Sequence, residues 1–349
     1  GGKFVIVSYG APRAELTPMV TRIAKLMEDS RTTMEGMGYS TEHRTTWPIQ
    51  VRVHPMRVGR NGSFSRRLPW PLDVNTGFFK INTLTFAKPT LPGTAIHEWY
   101  HFLQARYTDG MARNTEYSYK WVKEGASSWI PEKAPETVAG LTNTKYQGWR
   151  NGFFMGLHPG LTANNGYGKA PLFKYVADRW GDDNVKTIFD NVKAGKPAVD
   201  AVLEAIPEAP AVWWPDLMTK YMKGEIYALA ADSLPPRTGE LPIVAAGFKP
   251  WTSPTPLRPF GAKFVRVTPT ADGYGTGTTL TLQLPSAVQA AGVRILPFRK
   301  DESGKWEEQG GIADTLVIKG ADLNLGREYG LFLISTTASA PYTESWSPT

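Results

Sequence analysis

Between Ser233 and Phe260 stand Pro235, Pro236, Pro242, Pro250, Pro254, Pro256 and Pro259. A residue with no backbone N–H and with φ held near −65° breaks a helix interior, so no helix is expected to cross this stretch. The chain must therefore be organised around it. Ahead of it, from Thr94 to about Met222, the apolar spacing is helical. Behind it come short β-type runs at residues 263–267, 278–284, 293–298, 315–318 and 329–335, separated by Gly, Asp and Asn turns. A chain of 349 residues is also longer than a typical single domain. The reading is a main body over residues 1–232, a connecting segment over 233–259 and a small β-sandwich over 260–349.

The first ninety residues read as strands around one helix. Residues 4–8 form a strand, and residues 18–35 have helical spacing, with Thr17 as the cap before Pro18 and with Gly36 and Gly38 as the stop. Ile49, Val51 and Val53 alternate with polar residues and mark a second strand. The dipeptide Asn61-Gly62 reads as a loop or hairpin turn within a basic stretch that carries Arg52, Arg57, Arg60, Arg66 and Arg67. Residues 77–84 read as a further strand. Helices are expected over residues 121–129, 170–180, 183–192 and 198–206. No run approaches the roughly 18 to 20 apolar residues that a membrane helix needs, so no transmembrane segment is expected.

The chain has no cysteine and only five histidines. Disulfides, thiolate zinc sites and a cysteine nucleophile are thereby excluded, and His and carboxylates remain as the strong metal ligands. Two of the five histidines stand in Thr94-Ala95-Ile96-His97-Glu98-Trp99-Tyr100-His101-Phe102-Leu103-Gln104. This is H-E-x-x-H in a segment able to form a helix. Residues four apart share a helical face, so both imidazoles can converge on one ion. Glu98 remains close enough to reach a water bound there. A catalytic zinc typically takes three protein ligands, and Glu124, in Trp121-Val122-Lys123-Glu124-Gly125, is the candidate for the third. Gln104 shares the histidines' face and is a candidate hydrogen-bond partner behind the histidines or a candidate substrate contact.

Here the chain resembles the gluzincins, whose third ligand is a glutamate on a helix that follows the H-E-x-x-H helix. Its local form is similar to bacterial secreted peptidases that pair H-E-x-x-H-x-x-Q with W-x-x-E-G. The resemblance implies an α+β, thermolysin-like catalytic domain, a small sheet followed by a helical lobe, with Zn2+ held by His97, His101 and Glu124. It implies Glu98 as the base that takes a proton from water and returns it to the leaving amine. Tyr167, in Asn165-Gly166-Tyr167-Gly168, resembles the tyrosine that stabilises the oxyanion in gluzincin aminopeptidases. His158 is its rival, by analogy with the histidine donor of thermolysin-like enzymes. His43 and His54 lie in the strand region and are expected to be structural or exposed.

Two departures bear on the reading. Thermolysin-like enzymes carry an acid four residues after the ligand glutamate that orients a ligand histidine, whereas Ser128 stands there in this chain. The gluzincin aminopeptidases hold the substrate's free amine with the glutamate of a G-x-M-E-N strand. Here the corresponding stretch is taken as Gly77-Phe78-Phe79-Lys80-Ile81-Asn82, which has a lysine and no acid. An endopeptidase acting on protein or glycoprotein is therefore expected. The lack of cysteine suits a bacterial, secreted or cell-surface protein. The net charge of +7 favours anionic surroundings, although a solvated basic surface is the plainer reading and no nucleic-acid partner is expected. The alternative is a non-catalytic adhesin or glycan-binding protein with a structural or degenerate zinc site, making cell-surface or glycan contact through its C-terminal domain.

Overall fold

The structure is a computed structural model describing residues 3–8, 13–42, 44–57, 61–65, 77–83, 90–107, 117–134, 151–157, 163–227, 239–244, 247–248, 251–252, 257–269, 279–284, 286–319, 328–337 and 345–346. The fold is mixed α/β with small sheets. In chain order the described elements begin with β1 (Phe4–Ser8), α1 (Arg13–Gly36), β2 (Ile49–His54), β3 (Gly62–Ser65), β4 (Phe78–Asn82), α2 (Leu91–Tyr107) and α3 (Tyr117–Trp129). Helices α4 (Asn151–Phe154), α5 (Ala163–Tyr167), α6 (Ala170–Trp180), α7 (Asp182–Lys193), α8 (Ala198–Ala205) and α9 (Pro210–Met222) follow. The remainder is β5 (Gly239–Val244), β6 (Gly247–Phe248), β7 (Trp251–Thr252), β8 (Ala262–Pro269), β9 (Thr279–Gln283), α10 (Ser286–Ala290), β10 (Val293–Lys300), β11 (Trp306–Glu308), β12 (Thr315–Lys319), β13 (Tyr329–Ser335) and β14 (Ser345–Trp346). None of the described helices is long and apolar enough to cross a membrane.

The chain forms two compact units, Gly1–Trp149 with Pro159–Ile206, and Arg150–His158 with Pro207–Thr349. In the first, a four-stranded sheet runs in the order β1-β2-β4-β3. β1, β2 and β4 are parallel, and β3 is an antiparallel edge strand. The alternation that marks β2 in the sequence turns Ile49, Val51 and Val53 to one fully buried face. Phe79 joins them from β4, its ring centroid 5.5 Å from that of Trp99 and 6.2 Å from that of Phe102, so α2 lies against this face. From Ala95 to Ala105 every residue of α2 except His101 is buried. Pro92 sits in the first turn of α2, where its missing N–H has no intrahelical partner to lose. Helix α1 starts at Arg13, a turn before the expected cap, and so takes Pro18 into its body. Thr17 and Pro18 are exposed there, and the lost bond to residue 14 is the cost.

The second unit does not divide from the first where the prolines cluster. Helix α9 and the short α4 belong with the C-terminal strands. Phe154 stacks on Phe332 of β13, while Tyr221 of α9 packs on Phe153 and Phe154, and Trp213 and Trp214 pack on Phe260. Part of the expected connecting segment is itself sheet, because β5 pairs in parallel with β8 in a six-stranded sheet of order β11-β10-β13-β8-β5-β6. Pro242 is tolerated because β6 pairs only with Ile243 and Val244, so no ladder bond is asked of the proline from that side. On the sheet face opposite Phe332, Val265, Ile295 and Leu331 form a cluster with Leu316 and Ile318 of the two-stranded antiparallel sheet β9–β12.

Candidate metal centre

Helix α2 presents His97 and His101 one turn apart, and α3 presents Glu124 beside them. Nε2 of His101 lies 3.1 Å from Nε2 of His97, and Oε2 of Glu124 lies 3.5 Å from the first and 3.7 Å from the second. Ligand atoms bound tetrahedrally at zinc distances stand about 3.3 Å apart, so the three separations match a closed set around one ion. Among the described residues this is the one group of His, Asp and Glu side chains so placed.

The hydrogen bonds behind the ligands decide where the protons sit. Nδ1 of His97 lies 2.5 Å from the main-chain oxygen of Ser127, which can only accept, so Nδ1 carries the hydrogen. Nδ1 of His101 lies 2.8 Å from Oε1 of Gln104, again an acceptor. Both Nε2 atoms of the neutral rings therefore present lone pairs, and Glu124 adds a carboxylate oxygen. With the rings neutral, three acceptors facing one another at these distances repel unless a cation stands among them, which makes the group a candidate metal centre; a proton on His101 relieves the same repulsion. Burial works against a charge on His101, but the Glu124 carboxylate and then Glu98 offset it, and its pKa is raised.

Glu98 is 6% exposed and runs beneath the start of β3. A Cβ added to Gly62 would stand 2.9 Å from Cγ2 of Thr94 and 3.0 Å from Cγ of Glu98. Only glycine allows the strand so close. The edge strand next to Glu98 is thus β3, which the sequence reading took for a loop or turn. The stretch taken to correspond to the aminopeptidase strand forms β4 instead, an interior strand between β2 and β3.

Tyr167, at the end of α5, is brought beside the centre, with its ring centroid 6.5 Å from that of His97. The approach depends on Gly166, where a Cβ would stand 2.8 Å from Cβ of Glu124 and 2.8 Å from Cα of Trp121. His158 and His43 lie outside the described residues. His54 sits at the end of β2 with Nδ1 2.9 Å from the main-chain oxygen of Pro55.

Ser128 does not orient a histidine. Its hydroxyl is buried and has no hydrogen-bond partner among the described residues. Ser127 takes that place, and sequence reasoning missed it because the acid of the resembled family stands four residues after the ligand glutamate rather than three. The i, i+3 spacing from Glu124 to Ser127 was the signal available. No protein-family model matches the chain, and no curated protein matches it.

Proposed function

We propose that the chain is a zinc-dependent metallopeptidase of the gluzincin type, an endopeptidase acting on protein or glycoprotein outside the cell. The observation that carries the reading is the convergence of His97, His101 and Glu124 at metal-ligand separations, with the carboxylate-bearing Glu98 next to His97 on the same buried helix. Two histidines and a glutamate are a ligand set of catalytic zinc. In this reading the sheet β1–β4 and helices α2, α3 and α5–α8 form the catalytic domain, and the six-stranded sheet with the two-stranded sheet β9–β12 serves as a sandwich-like accessory module for surface or glycan contact.

Zinc held there supplies Lewis acidity, polarising the scissile carbonyl and acidifying water. The chain's own groups do the rest. Glu98 accepts the proton as the water oxygen bonds to the carbonyl carbon. It then delivers that proton to the amine nitrogen as the C–N bond breaks. The Tyr167 hydroxyl donates to the carbonyl oxygen as negative charge develops on it. An aminopeptidase needs a carboxylate for the substrate's ammonium. The edge strand Gly62-Ser63-Phe64-Ser65 has none, nor does β4, which supports internal cleavage.

The test is metal analysis together with cleavage of a mixed protein substrate, for the parent and for Glu98→Gln. One zinc per chain in both proteins, with cleavage lost only in the variant, is the expected result. A parent that binds no zinc sinks the reading. Zinc without cleavage in the parent favours a binding protein with a structural metal.

A further inference from the structure

We propose that Gln104 is a positioning residue that holds His101 for the metal through an uncharged amide, with Ser127 linking it to His97. The inference rests on the metal-centre reading only in requiring that His101 be a ligand.

The amide is fixed in one orientation by its two ends. Nε2 of Gln104 lies 2.9 Å from the main-chain oxygen of Lys123, which can only accept, so this end must be the donor. Oε1 is then the end that faces Nδ1 of His101, at 2.8 Å, and it receives that ring's hydrogen. Turned the other way, the amide would set oxygen against oxygen and N–H against N–H. Gln104 is 1% exposed, and an amide bonded at both ends in such a place has one stable setting. Lys123 immediately precedes Glu124. One side chain of α2 therefore ties a ligand of its own helix to the backbone that carries the third ligand on α3.

Ser127 completes the link. Its hydroxyl donates to Oε1 of Gln104 at 3.3 Å and lies 3.2 Å from Nδ1 of His101, while its carbonyl accepts from His97. Both histidines are therefore oriented from one residue of α3, and the Gln104 amide and the Ser127 hydroxyl and carbonyl that do so are neutral. Such partners behind metal-bound histidines are worth about 10- to 100-fold in metal affinity.

The experiment compares the full chain with Gln104→Leu, which keeps the volume and loses the hydrogen bonds of the amide. It reads zinc affinity by chelator competition and the imidazole N–H protons of the two histidines by NMR. Zinc affinity should fall about 10- to 100-fold, and the hydrogen-bonded Nδ1–H signal of His101 should be lost while that of His97 persists. Unchanged affinity, or a His101 signal that is neither lost nor shifted, overturns the proposal. If Gln104→Leu does not fold, Ser127→Ala is read in its place. That change strips one hydroxyl from the same oxygen and leaves the His97 contact, so a smaller loss of affinity and a shifted His101 signal are expected, and no change in either overturns the proposal. A parent that binds no zinc overturns the metal-centre reading and this proposal with it, whereas a parent that binds zinc and a variant of equal affinity overturn this proposal alone.

Discussion

Helix α2 and strand β13 are both buried along almost their whole length, but they bury opposite things. β13 places Leu331 and Leu333 on one face and Phe332 and Ile334 on the other, each 1% exposed or less. That is what a central strand covered on both faces requires. α2 sinks His97, Glu98 and Gln104 among Trp99, Tyr100 and Phe102, and α3 adds Ser127 and Ser128. Each buried polar group without a partner costs about 1 to 3 kcal/mol, so a helix made only for packing would not carry this set. The difference teaches where the molecule is built for stability and where stability is given up to hold a site.

The sharpest way to test that contrast is to damage the apolar region and ask whether the polar one notices. Phe332 stacks on Phe154 and meets Phe264 and Phe298 edge-on. Phe332→Ala should destabilise the protein by about 3 to 5 kcal/mol, measured by denaturant unfolding. In native buffer the zinc content should equal that of the parent. A loss under about 1 kcal/mol would show that β13 is not the packed centre its burial indicates.

Gly62 probes the other side of the comparison, where packing serves chemistry. The methyl of Gly62→Ala arrives within 3.0 Å of both Thr94 and Glu98. Of the two, the flexible glutamate is the easier to move. The fold should lose about 1 to 3 kcal/mol and keep its zinc, while kcat falls about 100-fold, equivalent to about 2.7 kcal/mol. A variant with full kcat would separate the position of Glu98 from β3 and would falsify the steric role given to this glycine.

The contrast also explains what could be read from the sequence. The convergence of His97 and His101 was legible because i, i+4 spacing converts directly into a shared helical face, and Gln104 at i+3 from His101 was legible for the same reason. Strands β8, β9, β10, β12 and β13 of the second unit were legible because β-branched and aromatic runs between turn residues leave few alternatives. β3 was not, since four residues opening on Asn61-Gly62 look like a turn, and its strand character comes from pairing with β4. The reach of the second unit into residues 150–158 and 207–222 was hidden as well. Helical spacing reports an apolar face and says nothing of which sheet that face will cover. Pro242 misled in the same way, because whether a proline ends a strand depends on the neighbouring strand's length, a tertiary fact.

The smallest expected effect falls on Ser128, and it separates the resemblance from the geometry. If this position orients a ligand histidine, as its place four residues after Glu124 implies, Ser128→Ala must weaken zinc binding. Ser128, however, is 2% exposed and its hydroxyl has no hydrogen-bond partner among the described residues, so it already bears the cost of desolvation with nothing returned. Removing it should leave zinc affinity unchanged and alter stability by no more than about 1 kcal/mol, toward greater stability. Chelator competition and thermal unfolding of the variant measure both. Weaker zinc binding would mean that the hydroxyl turns to a histidine once the ion is bound, and the division of labour between adjacent serines would have to be redrawn in favour of Ser128.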